Sequence, residues 1–141
     1  MTITNQTIKL YRGDSATIFV ALTQADGTAF DPTLSAIIRW RLARTQHSPE
    51  TAALVRKSLG DGIELATVDG VDGVNITLST ADTDQVPGLY YHELKIWDDG
   101  DIATAMTGTC VVKRAVQMGD LARPVTGNVA LVATVPVPTV V

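Results

Sequence analysis

A chain of 141 residues is one domain by length and can bury a hydrophobic core without staples. Its single Cys and two His exclude an internal disulfide and the common structural zinc sites, and a net charge of −4 gives no general attraction to nucleic acid or an anionic membrane. No basic start followed by an apolar run opens the chain, so synthesis in a cytoplasm without export is expected.

The periodicity is two, not 3.6, from the start. Ile8 and Leu10 alternate with Thr7, Lys9 and Tyr11, and Ile18, Val20 and Leu22 alternate with Thr17, Phe19 and Ala21. The segment from Gln24 to Thr28 has Asp-Gly at its tip and reads as a turn. Asp31-Pro32 is a further break. Ile38, Trp40 and Leu42 share one strand face, with Arg39 and Arg41 on the other. A short strand over Leu54–Ser58 precedes Gly60-Asp61-Gly62, then Ile63 and Leu65 lead to the turn Asp69–Gly73. Val74, Ile76 and Leu78 form the next alternating set. Ser48–Leu54 and Ser79–Asp84 read as single helical turns, the second capped by Ser or Thr with Asp in its first turn. A long strand over Leu89–Trp97 ends at the turn Asp98–Asp101, and its return partner runs from Ile102 to Val112. About eight short strands joined by Gly/Asp turns predict an antiparallel sandwich or barrel.

The chain divides unequally. All seven aromatics lie before residue 98, so the core is assigned to a domain over residues 1–114. Residues 115–141 have no aromatic, two charges and 15 apolar residues of 27, eight of them Val. They read as an extended apolar C-terminal arm, which needs a surface to lie on. Val129, Leu131, Val132, Val135 and Val137 are the candidate assembly residues. They could add a strand to a neighbour's sheet edge or pair with the chain's own sheet; both alternatives stay open. Pro136 and Pro138 would then stop the pairing.

Chemistry is sparse. His47 and His92 have no motif partner, and no nucleophile elbow or phosphate loop is present. No catalytic residue, metal or cofactor is therefore expected. The turns Asp69–Gly73 and Asp98–Asp101 lack the spacing of a calcium loop and fit turn chemistry. Cys110 fits a small buried residue, and Arg12-Gly13-Asp14 a strand-edge bend.

Asp84 to Tyr90 places a Tyr just inside a long strand after Pro87-Gly88, which resembles the tyrosine corner of immunoglobulin-like sandwiches. Leu10–Ser15, Thr23–Asp31, Leu78–Thr83, Pro87–Leu94, Asp98–Asp101 and Met106–Thr109 follow in an order that resembles the immunoglobulin-like N-terminal domain of bacteriophage baseplate upper proteins and other tailed-phage virion proteins. The resemblance spans about residues 8–114. It implies an all-β, immunoglobulin-like antiparallel β-sandwich that is a non-enzymatic virion part. The receptor-binding region that continues such proteins has no counterpart here. The expected role is a capsid accessory or decoration protein, present in many copies or as a homo-oligomer, whose partners are other capsid or baseplate proteins. A baseplate or tail-fibre adaptor is the first alternative. A module binding host glycan or protein is the second, disfavoured because Phe30 is the only aromatic in a predicted loop.

Overall fold

The computed structural model describes residues 6–24, 28, 30–31, 36–98 and 100–114, and the backbone of 127–134. It is all-β. Among the described residues nine strands form one mixed sheet: β1 (Ile8–Tyr11), β2 (Ala16–Thr23), β3 (Ile37–Ala43), β4 (Val55–Leu59), β5 (Gly62–Val68), β6 (Val71–Leu78), β7 (Gly88–Asp98), β8 (Asp101–Lys113) and β9 (Gly127–Thr134). Their order across the sheet is β1-β8-β7-β3-β4-β5-β6-β2-β9, and the sheet nearly closes into a barrel. One 3-10 turn lies at Glu50–Ala52, and a turn follows β6 at Thr80–Thr83. In the latter, Ser79 and Asp82 exchange side chain-to-backbone hydrogen bonds of 2.8 and 3.2 Å. Among the described residues no helix is long and apolar enough to cross a membrane.

Alternation decides which side chains fill the interior. Ile18, Val20 and Leu22 of β2 lie beside Val74, Ile76 and Leu78 of β6 and Ile63 of β5 on the inner face, and share one core with Ile38, Trp40 and Leu42 of β3. Tyr90, His92, Leu94 and Ile96 of β7 complete that face together with Met106, Cys110 and Val112 of β8. Phe30, expected on a loop, is buried in this cluster. Cys110 is fully buried as its apolar neighbours predict, and burial pushes its thiol up to about 12.

Two joints hold the sheet in shape. The first is narrow: β4 and β5 pair in parallel at only Ser58–Gly62 and Leu59–Ile63. Gly62 sits at φ +94°, and a Cβ there would overlap the Lys57 side chain, so only Gly allows the Lys57 stem to pass. Lys57 then reaches Asp82, 2.7 Å away, in the connection after β6, and ties the two halves of the sheet together. Burial alone would raise the Asp82 carboxyl, but hydrogen bonds from Lys57 and Ser79 hold it below its ordinary range. The second joint is a bulge between β7 and β8 at Leu94/Lys95. Ala105 is the unpaired extra residue, so Ala105 and Met106 are both buried while the alternation resumes on either side.

The β5–β6 hairpin turns through Asp69 (φ 51°) and Gly70 (φ 78°) between paired Val68 and Val71. Positive φ at both central residues is the two-residue turn that Asp-Gly favours, because its twist matches the strands.

Candidate functional site

Four sets of residues were singled out by function or strain, and they fall in different places. Tyr90 opens β7 with its ring in the core, and its hydroxyl donates to the carbonyl of Val86. The same connection is gripped from two further sides. The Thr83 hydroxyl donates to the carbonyl of Asp14 at 2.7 Å, and Arg12 pairs with Asp84 at 2.8 Å. Arg12-Gly13-Asp14 is thus a bend after β1, with Gly13 at φ +83° and Asp14 N–H bonded to the Tyr11 carbonyl.

His92 is the most deeply placed polar side chain of β7, fully buried and 6.2 Å from the Trp40 ring, centroid to centroid. Its Nε2 lies 2.5 Å from the carbonyl of Gln6. A carbonyl only accepts, so Nε2 carries a proton. Burial lowers the His92 pKa, and the Gln6 bond opposes this in part. Gln6 reaches that position because it crosses Gly108 at close range and donates to the Thr107 carbonyl at 3.1 Å. The other ring nitrogen, Nδ1, is buried without a hydrogen-bond partner among the described residues.

The C-terminal strand is the third set. β9 runs parallel to β2 from Ala16–Gly127 to Thr23–Thr134. Val129, Leu131 and Val132 lie on β9, opposite Ile18, Val20 and Ala21. In this structure the chain's own sheet receives them, one of the two arrangements open from the sequence. Val135 and Val137 lie outside the described residues.

The fourth set was not found from sequence: a groove on the outer face of β3, β4 and β7, of about 450 Å³. Register stacks its charges. Arg39 of β3 is opposite Lys95 of β7 and Ser58 of β4; Arg41 is opposite Glu93 of β7 and Arg56 of β4. Arg41 is well satisfied: it donates to Glu93 at 3.1 Å and to the Ser48 carbonyl at 2.7 Å, and lies over the Tyr91 ring. The Tyr91 hydroxyl donates to the other Glu93 oxygen, and burial together with that carboxylate pushes its pKa up to about 12. Arg39 lies over the Trp97 ring, 5.5 Å from its centroid, and pairs with exposed Glu50 at 3.3 Å. Arg56 and Lys95 have no ion pair among the described residues. The groove was illegible because alternation places Arg39 and Arg41 outside, but only the pairing sets Arg56 and Lys95 beside them.

Among the described residues no three His, Cys, Asp or Glu side chains come together as metal ligands would. The segment Asp69–Gly73 is the two-residue hairpin turn Asp69-Gly70 and the start of β6, where Asp72 accepts from the Thr67 hydroxyl at 2.6 Å. No protein-family model and no curated protein matches the sequence.

Proposed function

We propose that the chain is a non-enzymatic structural protein of a tailed-phage virion, an immunoglobulin-like module that decorates the particle. The observation that carries this is the way the sheet ends. β1 and β9 are its terminal strands, each paired on one side only, β1 with β8 and β9 with β2. Terminal strands offer backbone hydrogen bonds to a neighbouring subunit, and a repeating particle surface supplies such neighbours.

The immunoglobulin-like assignment is supported by the strand order. β8-β7-β3-β4 and β5-β6-β2 read as two sheets of a sandwich, joined at the two-residue contact of β4 with β5. The parallel pairing of β1 with β8 and the Tyr90–Val86 hydrogen bond fit that reading. A decoration role, in place of host recognition through aromatic loops, is favoured by Phe30, which fills the core and offers no loop contact.

The test is copy number in density-purified virions of the phage that encodes the chain, measured by quantitative mass spectrometry. Hundreds of copies per particle are expected for decoration; a small multiple of three or six would move the chain to the baseplate or fibre, and absence from the particle would refute a virion role. A chain truncated after Arg114 should stay folded yet fail to load onto particles lacking it. Full loading would remove the C-terminal segment as tether.

A further inference from the structure

The outer groove pairs three of its cations, Arg39, Arg41 and Lys57, with carboxylates, and Arg56 and Lys95 have no ion pair among the described residues. Like charges directly opposite on paired strands are destabilising, and here there are two such pairs, Arg39 beside Lys95 and Arg41 beside Arg56. The groove's lining holds five of the eleven Lys and Arg of the chain but only three of its fifteen Asp and Glu. A chain of net charge −4 thus carries a local excess of positive charge on this face. Next to it, at the same end of the strands, lies an apolar row: Ile37, Trp97 and Ile102 are in register across β3, β7 and β8. Ile37 is 45% and Ile102 64% exposed.

The complement of that face is present in the chain itself. Between Lys57 and Lys95 the sequence has no Lys or Arg, and the β5–β6 hairpin carries Glu64, Asp69 and Asp72. The hairpin also exposes Leu65 (54%), Val68 and Val71. β5 buries only Ile63, and the pairing of β6 with β2 ends at Gly73, so Asp72 and Val71 are paired only within the hairpin. An acidic tip with exposed aliphatic side chains matches a cationic groove with an apolar row beside it.

We infer that the groove of one copy receives the β5–β6 hairpin of a second copy of this chain. The hairpin carboxylates neutralise Arg56 and Lys95, and its exposed aliphatic residues cover Ile37, Trp97 and Ile102. Opposite potentials steer and register such contacts. The inference rests on the multi-copy reading above and gives it a contact between neighbours that does not involve β9.

Charge reversal tests it in solution. Sedimentation velocity of the wild-type chain at rising concentration should show self-association that weakens in 0.5 M NaCl. Arg56→Glu/Lys95→Glu should be monomeric, as should Glu64→Lys/Asp72→Lys, each with a wild-type melting transition. Mixed one to one, the two variants should associate again, because each reversed face then meets its complement; this rescue also shows that both are folded. A wild-type chain that stays monomeric overturns the inference, as does association that persists in both variants. Monomeric wild-type protein that binds poly-glutamate through Arg56 and Lys95 overturns it in favour of an acidic segment of another protein. These outcomes separate from the virion role, since copy number on particles is measured independently of self-association.

Discussion

The crossing of Gln6 over Gly108 offers the sharpest test of how this fold is held. A Cβ on residue 108 would stand 2.6 Å from Gln6 N and 2.7 Å from Gln6 C, and would overlap the Gln6 carbonyl oxygen. These are backbone atoms, so no side-chain rotation relieves the overlap and the segment before β1 must move. Gly108→Ala therefore removes the Gln6–Thr107 hydrogen bond and takes the acceptor from His92 Nε2. A net hydrogen bond is worth about 1 kcal/mol, and a buried donor left unpaired costs about 1–3 kcal/mol more. The expected loss is about 2–4 kcal/mol, or roughly 6–16 °C in Tm for a chain of this size. Urea denaturation of Gly108→Ala beside Thr109→Ala, an exposed neighbour on the same strand, measures it. A chain lacking residues 1–6 should lose a similar amount, and adding Gly108→Ala to it should cost little more, since both act on one contact. A Gly108→Ala loss below about 0.5 kcal/mol, the size of an ordinary surface substitution, or full additivity with the truncation, would refute the reasoning.

Other expectations follow from the same geometry. His92 is neutral in the fold with a lowered pKa, so the unfolded chain takes up the proton first as pH falls. Stability should be complete above about pH 6.5, the ordinary His value, and decline below it by up to about 1.4 kcal/mol per pH unit; denaturation midpoints from pH 8 to 5 that do not fall would contradict this. Asp82 is also held below its ordinary pKa, so its share of stability is present above about pH 4 and lost on further acidification. Lys57→Met should remove much of that acid-limb dependence and cost about 1 kcal/mol near neutrality, as for a partly screened pair; an unchanged acid limb would mean that Lys57 does not hold the carboxyl. Tyr90→Phe should cost about 1 kcal/mol by removing the bond to Val86 without a cavity, read as a urea midpoint shift at constant m.

Strands with strict alternation were readable residue by residue. β3 and β7 put Trp40 and Leu94 inside and Arg39 and Lys95 outside because every second residue changes character. β8 was readable only as a whole: Ala105 is an extra residue, and the bulge shifts the phase between its two halves. For β9, pairing with the chain's own sheet was one of two open readings, and neither its partner strand nor its register could be read. A run such as Val129–Ala133 has no polar face to mark a register, and hydrophobicity names no partner. Phe30 does lie outside any strand, as its neighbours Asp31 and Pro32 suggest, but a loop position does not fix exposure, and its large ring packs into the core. The groove depends on residues far apart in sequence, and like-charge neighbours are visible only once the register is known.

The connection between β6 and β7 has a mechanical consequence. Its residues hold the bend after β1 through Thr83 and Asp84, β4 through Asp82, and β7 through Tyr90. All these grips gather toward one end of the strands, where Ala16 meets Leu78 and Gly88 meets Val112. The opposite end carries the Asp69–Gly70 turn and the strand pair Asp98–Asp101. With these grips gathered at one end, the body is expected to open first at the other, its free end. Amide exchange should be slowest near the clasp and fastest at the free end, where the groove's apolar row and the acidic hairpin tip both lie.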